Sequence, residues 1–139
     1  MRKKDAFAID DTAVFKTPEG RHHILKQYDR LLLSVEFTYK EPYIETHYGS
    51  TYVLESGTPD QPPLFLFHGS SSNSAAWFGN IASLNRFFRV FSVDLIGDAG
   101  HSAETRLNMK SVAYARWIAY LFNGTGIEKA LIMGNSLGA

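Results

Sequence analysis

Three short apolar runs, Leu64-Phe65-Leu66-Phe67, Val90-Phe91-Ser92-Val93 and Ala130-Leu131-Ile132-Met133, alternate with stretches of helical periodicity from residue 64 onward. This alternation restricts the possible architectures more than any other feature. A strand with one face in water shows apolar and polar residues in turn, whereas a continuous apolar run implies a strand buried on both faces. The intervening segments supply the cover. Ala75 to Phe87 is a helix candidate, and Met109 to Phe122 is another, with Tyr114, Trp117, Ile118, Leu121 and Phe122 on one face and Asn123-Gly124 as its stop. Strands separated by helices pair in parallel, so the expected class is a layered α/β fold with a mostly parallel sheet and helices on its faces.

Upstream the pattern differs. Thr17-Pro18 suits a helix N-cap followed by proline at the first helical position, and Ile24, Leu25, Tyr28, Leu31, Leu32 and Val35 recur at helical spacing behind it. Tyr43 to Tyr48 and Thr51 to Glu55 are β-branched and aromatic runs separated by Gly49-Ser50, which reads as a hairpin or a tight strand connection at those two residues. Ser56 to Pro63 is a loop by its Gly, Pro and Asp content. The organisation expected is a leader and amphipathic helix over residues 1–40 and an α/β core over residues 41–139. The basic start Met1-Arg2-Lys3-Lys4-Asp5 reads as a solvated leader, because the apolar residues after it run into Asp10-Asp11 too soon for a signal peptide.

Composition excludes several classes of function. The 14 basic residues balance 14 acidic ones, which leaves no electrostatic footprint for nucleic acid or an anionic membrane. With no cysteine there is no disulfide, thiolate metal site or cysteine nucleophile. Arg116 interrupts the longest candidate for a membrane span, which needs roughly 18 apolar residues. A soluble, cytoplasmic protein with no cofactor and no metal is expected, and its oligomeric state is left open.

The chemistry concentrates at the ends of the three apolar runs. Gly134-Asn135-Ser136-Leu137-Gly138 matches the G-x-S-x-G nucleophile elbow directly after Ala130 to Met133, and its glycines let the backbone close tightly around an exposed serine. At the glycine and serine frequencies of this chain the bare pattern arises by chance in on the order of one chain in ten, so its position carries the argument. His68-Gly69-Ser70, after Leu64 to Phe67, opens a loop of small residues whose backbone N–H groups could face a developing oxyanion. Ser70 and Leu137 are the natural donor pair. His68 itself reads as a structural histidine. Asp94-Leu95-Ile96-Gly97-Asp98-Ala99-Gly100-His101-Ser102 follows the second run and reads as a scaffold loop crossing the same end of the sheet.

In the order strand-His-Gly, strand-Asp-x-x-Gly, strand-G-x-S-x-G, these segments resemble the α/β-hydrolase family from about Tyr43 to Ala139, and most closely bacterial esterases with a "D-x-I-G-D" loop, here Asp94 to Asp98. The resemblance implies a three-layer fold of which the chain holds the N-terminal half, truncated after the elbow, with Ala130 to Met133 in the middle of the whole sheet. It implies a serine hydrolase of small carboxylic esters: Ser136 as nucleophile, and Ser70 and Leu137 as oxyanion donors through their backbones. A serine there separates the chain from the similar dehalogenases, which use aspartate. The family's triad runs serine, then acid, then histidine. All five histidines, His22, His23, His47, His68 and His101, precede Ser136, so the implied acid and base lie beyond Ala139, with His101 the lesser alternative for the base. A fragment without them is expected to be inactive. Competing readings are a non-catalytic binding or receptor module on the same fold, and the acyltransferase, carbon–carbon hydrolase or cofactor-free peroxidase activities that share the elbow.

Overall fold

A computed structural model describes residues 9–10 and 13–139, so the leader predicted at residues 1–5 lies outside the described residues. Its elements are β1 (Ile9–Asp10), α1 (Pro18–Leu33), β2 (Tyr39–Lys40), β3 (Tyr43–Thr46), β4 (Gly49–Ser56), β5 (Pro63–Phe67), α2 (Phe78–Leu84), β6 (Arg89–Val93), β7 (Arg106–Leu107), α3 (Ala113–Thr125) and β8 (Leu131–Gly134). The main sheet runs β2-β4-β6-β5-β8, with β3 also on β4, while β1 and β7 form a small antiparallel pair. The three apolar runs are β5, β6 and β8, all parallel. β4 joins them antiparallel to β6 and carries the hairpin partner β3. Among the described residues β8 forms an edge of the sheet.

The side-chain period of two along a strand sorts the core into two faces. Val53, Phe65, Phe67, Phe91 and Val93 pack with Trp117 and Leu121 of α3. Tyr52, Leu54, Leu64, Leu66 and Val90 pack on the other face with Tyr28 and Leu32 of α1 and Ile81 of α2. This is the three-layer arrangement expected, and it explains why β5 needs apolar residues at every position. On the α3 side Trp117 is fully buried, and its indole N–H donates to the Thr51 hydroxyl at 2.8 Å, which satisfies the one polar atom the ring brings into the core.

Local boundaries depart from the sequence expectations at four places. The strands turn at His47-Tyr48 and not at Gly49-Ser50, because the Thr46 hydroxyl accepts from Tyr48 N–H and donates to the Gly49 carbonyl, closing the turn two residues earlier. The segment Ala75 to Phe87 is not one helix. Asn73 caps Ala75 N–H at 3.0 Å and starts a 3-10 turn over Ser74–Trp77, and α2 then lasts only to Leu84. α3 starts at Ala113 and not at Met109, since Asn108 and Ser111 use their side chains on the backbone N–H groups of Lys110 and Ala113 and hold that stretch in turns. It also ends later, at Gly126 with φ 71°. Gly124 lies inside the helix, where any Cβ would collide with Ile44 of β3; its role is close packing, not termination. In α1 the N-cap is as expected, with the Thr17 hydroxyl accepting from Gly20 N–H, but of the six apolar residues proposed for its inner face only Tyr28 and Leu32 are buried.

Candidate active site

Register brings the chemistry together. In the parallel ladders Phe67 is opposite both Val93 and Gly134, so His68, Asp94 and Asn135 leave the sheet side by side at the same carboxyl edge. Loops after parallel strands meet at that edge, where ligands bind in open α/β sheets.

The elbow is a tight, strained turn. Asn135 is still extended and its N–H bonds to the Phe67 carbonyl at 3.1 Å, after which Ser136 enters the left-handed region at φ 53°. Few non-glycine residues adopt that conformation unless their surroundings impose it. Both glycines of the motif are required by contact. A Cβ on Gly134 would strike the Gly138 carbonyl, and one on Gly138 would lie 2.6 Å from the His68 carbonyl, with Phe67 closer still. Ser136 is left exposed.

His68-Gly69-Ser70 lies against this turn. A Cβ placed on Gly69 would sit 3.7 Å from Ser136 Cβ, an ordinary contact distance, so the loop runs directly beside the serine. Ser70 and Leu137 line one small pocket of about 150 Å³ together with Asp98, Arg106 and Tyr114. His68 is fully buried: Nε2 accepts the Leu95 N–H at 2.9 Å, and Nδ1, which therefore carries the proton, donates to the Gly69 carbonyl at 2.7 Å. Both ring nitrogens are engaged in bracing the loops, which leaves the ring no freedom to act as a base.

Asp94 is a buried hub. One carboxylate oxygen accepts from the Tyr28 hydroxyl at 3.0 Å and Ser74 N–H at 2.8 Å, and the other accepts His101 N–H at 2.9 Å. Burial, reinforced by Asp94, pushes the Tyr28 phenol far above its ordinary range, so it remains a donor. His101 stacks on the Tyr28 ring at 4.7 Å and pairs with Asp29 of α1 at 2.8 Å. Among the described residues no hydrogen bond joins a histidine ring to Ser136.

Sequence reasoning passed over Asp98, naming it only as part of the scaffold loop. Its Oδ1 accepts Ser71 N–H at 2.8 Å, and Asn73 Nδ2 bonds to the Ala99 carbonyl at 3.0 Å, so the 94–102 loop is fastened to the His68-Gly69-Ser70 loop. Burial pushes the Asp98 carboxyl above the usual carboxylate range, opposed by the Ser71 and Ala99 N–H groups and by Arg106. The available signal was an aspartate beside Gly97 in a loop bound for the same sheet edge.

Comparison with known proteins agrees with this geometry. Residues 62–139 match the family model described as the alpha/beta hydrolase fold. The carboxylesterase YbfK of Bacillus subtilis is 33% identical over 130 residues, which is 94% of this chain and 44% of that protein. An uncharacterized carboxylesterase, nap, of the same organism is 40% identical over 99 residues, 71% of this chain and 33% of the relative. The crystal structure of carboxylesterase CesB (YbfK) from B. subtilis superposes with a TM-score of 0.79 at 34% identity, covering 86% of this chain and 42% of that one. The chain thus spans less than half the length of each of these relatives.

Proposed function

Since the chain belongs to the α/β-hydrolase family, we propose that it carries the nucleophile and the oxyanion hole of a serine hydrolase of small carboxylic esters. The observation that carries this reading is Ser136: an exposed serine at φ 53°, held between two glycines that tolerate no Cβ, beside a loop of backbone donors. The names of the relatives, carboxylesterases, support an ester as the substrate.

In this mechanism Ser136 Oγ attacks the ester carbonyl carbon while a general base takes its proton. The carbonyl oxygen becomes an oxyanion, which accepts hydrogen bonds from Ser70 and Leu137 N–H as the tetrahedral intermediate forms. Collapse of the intermediate breaks the bond to the alcohol, which leaves with the base's proton, and water then releases the acid from Ser136 by the same steps. The reading assigns the base and its orienting acid to residues outside 1–139, because both ring nitrogens of His68 are engaged, the His101 ring, held by Asp29, makes no hydrogen bond to Ser136 among the described residues, and His22, His23 and His47 are exposed on α1 and the β3–β4 turn. A fluorophosphonate probe applied to the protein at its full natural length tests the claim. Labelling and ester turnover are expected to vanish in Ser136→Ala; equal labelling of the two proteins would remove Ser136 from the mechanism.

A further inference from the structure

We infer that Asp98 is a positioning residue for the oxyanion hole: its carboxylate holds the turn at Ser71 so that the preceding N–H, that of Ser70, faces the pocket beside Ser136. The inference rests on the proposed esterase reading and extends it to a residue outside the reacting groups.

Three observations converge. Ser71 has φ 58°, and apart from Ser136 it is the only non-glycine among the described residues in the left-handed region. A residue stays there only when its surroundings hold it, and the contact that does so is the Asp98 Oδ1 bond to Ser71 N–H at 2.8 Å. Ser71 N and the Ser70 carbonyl share one peptide plane, so fixing Ser71 N–H fixes ψ of Ser70 and, through it, the position of Ser70 over the pocket. Asp98 is itself well placed to hold rather than be held. It is 6% exposed, its own N–H bonds to the Leu95 carbonyl at 3.1 Å, and its carbonyl accepts from Gly100 N–H at 2.9 Å. Gly97 before it, at φ 76°, would meet the Thr105 and Arg106 backbone with any side chain, so the loop has little room to shift. Asp98 also lines the same pocket as Ser70 and Leu137, with its Oδ1 taken up by the Ser71 N–H.

The alternative role is merely structural, and the two predict different kinetics. A group that aims an oxyanion donor acts on the transition state more than on the bound ester. In the protein at its full natural length, Asp98→Ala is expected to lower kcat roughly ten- to a hundredfold with KM changed less than about threefold. Inhibition by an alkyl boronic acid, whose adduct on Ser136 is tetrahedral, should weaken by a similar factor. Asp98→Asn keeps an acceptor and should recover a large part of both losses, and it serves as the folded comparison should Asp98→Ala prove unstable. A kcat within threefold of wild type in Asp98→Ala, or a loss seen in KM alone with boronate binding intact, would overturn the inference. Ser136→Ala, run alongside, separates the two claims: persisting turnover there defeats the esterase reading, whereas an inactive Ser136→Ala with a fully active Asp98→Ala defeats only the role of Asp98.

Discussion

In the proposed mechanism Ser70 contributes its backbone and not its hydroxyl, and a pair of substitutions tests this. Ser70→Ala keeps the N–H and should leave turnover within a few-fold, whereas Ser70→Pro deletes the donor and should lower kcat by roughly 10²–10³. Steady-state kinetics on a p-nitrophenyl ester decide, and the reverse ranking would place the oxyanion hole elsewhere. Asp98 carries a second, thermodynamic signature. Burial raises its carboxyl in the folded protein above the unfolded value of about 3.9, so the native state binds that proton more tightly than the unfolded chain does. Its contribution to stability is therefore complete below the unfolded pKa and is lost as pH rises through the folded one. Asp98→Asn has no such proton, so its stability relative to wild type should improve as pH is raised from about 4 to 7. Urea unfolding across that range measures it; a trend of the opposite sign would mean that the N–H groups of Ser71 and Ala99 outweigh burial.

At the scale of the elements, α3 and α1 are tied to the sheet by different chemistry. α3 is anchored by Trp117, whose ring fills the face formed by Val53, Phe67 and Val93 and whose N–H reaches Thr51 on β4. Trp117→Phe removes the donor and part of the ring, leaving a buried hydroxyl without this partner, and should cost about 2–4 kcal/mol in chemical denaturation. α1 is tied through Tyr28, which bonds to Asp94 at the base of the scaffold loop. Tyr28→Phe preserves the packing on Tyr52 and Phe78 and deletes one hydrogen bond to a carboxylate, so a loss of about 1.5–3 kcal/mol is expected by the same measurement. A smaller effect would mean that the Ser74 and His101 N–H groups hold Asp94 without help from α1.

At the scale of the whole of residues 1–139, the open apolar surface among the described residues lies at β8. Among the described residues β8 pairs with β5 on one side only, and its Leu131, Ile132 and Met133 are 55%, 57% and 43% exposed, with no charge among them. Beside it an apolar hollow of about 370 Å³ opens between Trp117, Ile118 and Leu137. An unpaired apolar edge is a template for association, so residues 1–139 expressed alone should self-associate, and Ile132→Lys should shift the population toward monomer in size-exclusion chromatography with light scattering. A wild-type monomer at tens of micromolar would show that this edge is not adhesive. Much of this arrangement was legible in the residues. Continuous apolar runs at β5, β6 and β8 can be buried only by cover on both faces, and Gly134, Ser136 and Gly138 stand at the end of one of them; both facts depend on side-chain size and polarity, which a sequence displays directly. The turn at His47-Tyr48, the division of Ala75 to Phe87 and the interior position of Gly124 were not legible, because each is decided by one partner: the Thr46 hydroxyl, the Asn73 cap, the Ile44 side chain. The same is true of Asp98. Its carboxylate and the Ser71 N–H it holds are 27 residues apart in the chain, and nothing local to either marks the other, so only the parallel register of β5 on β6, which delivers their loops to one edge, decides that they meet.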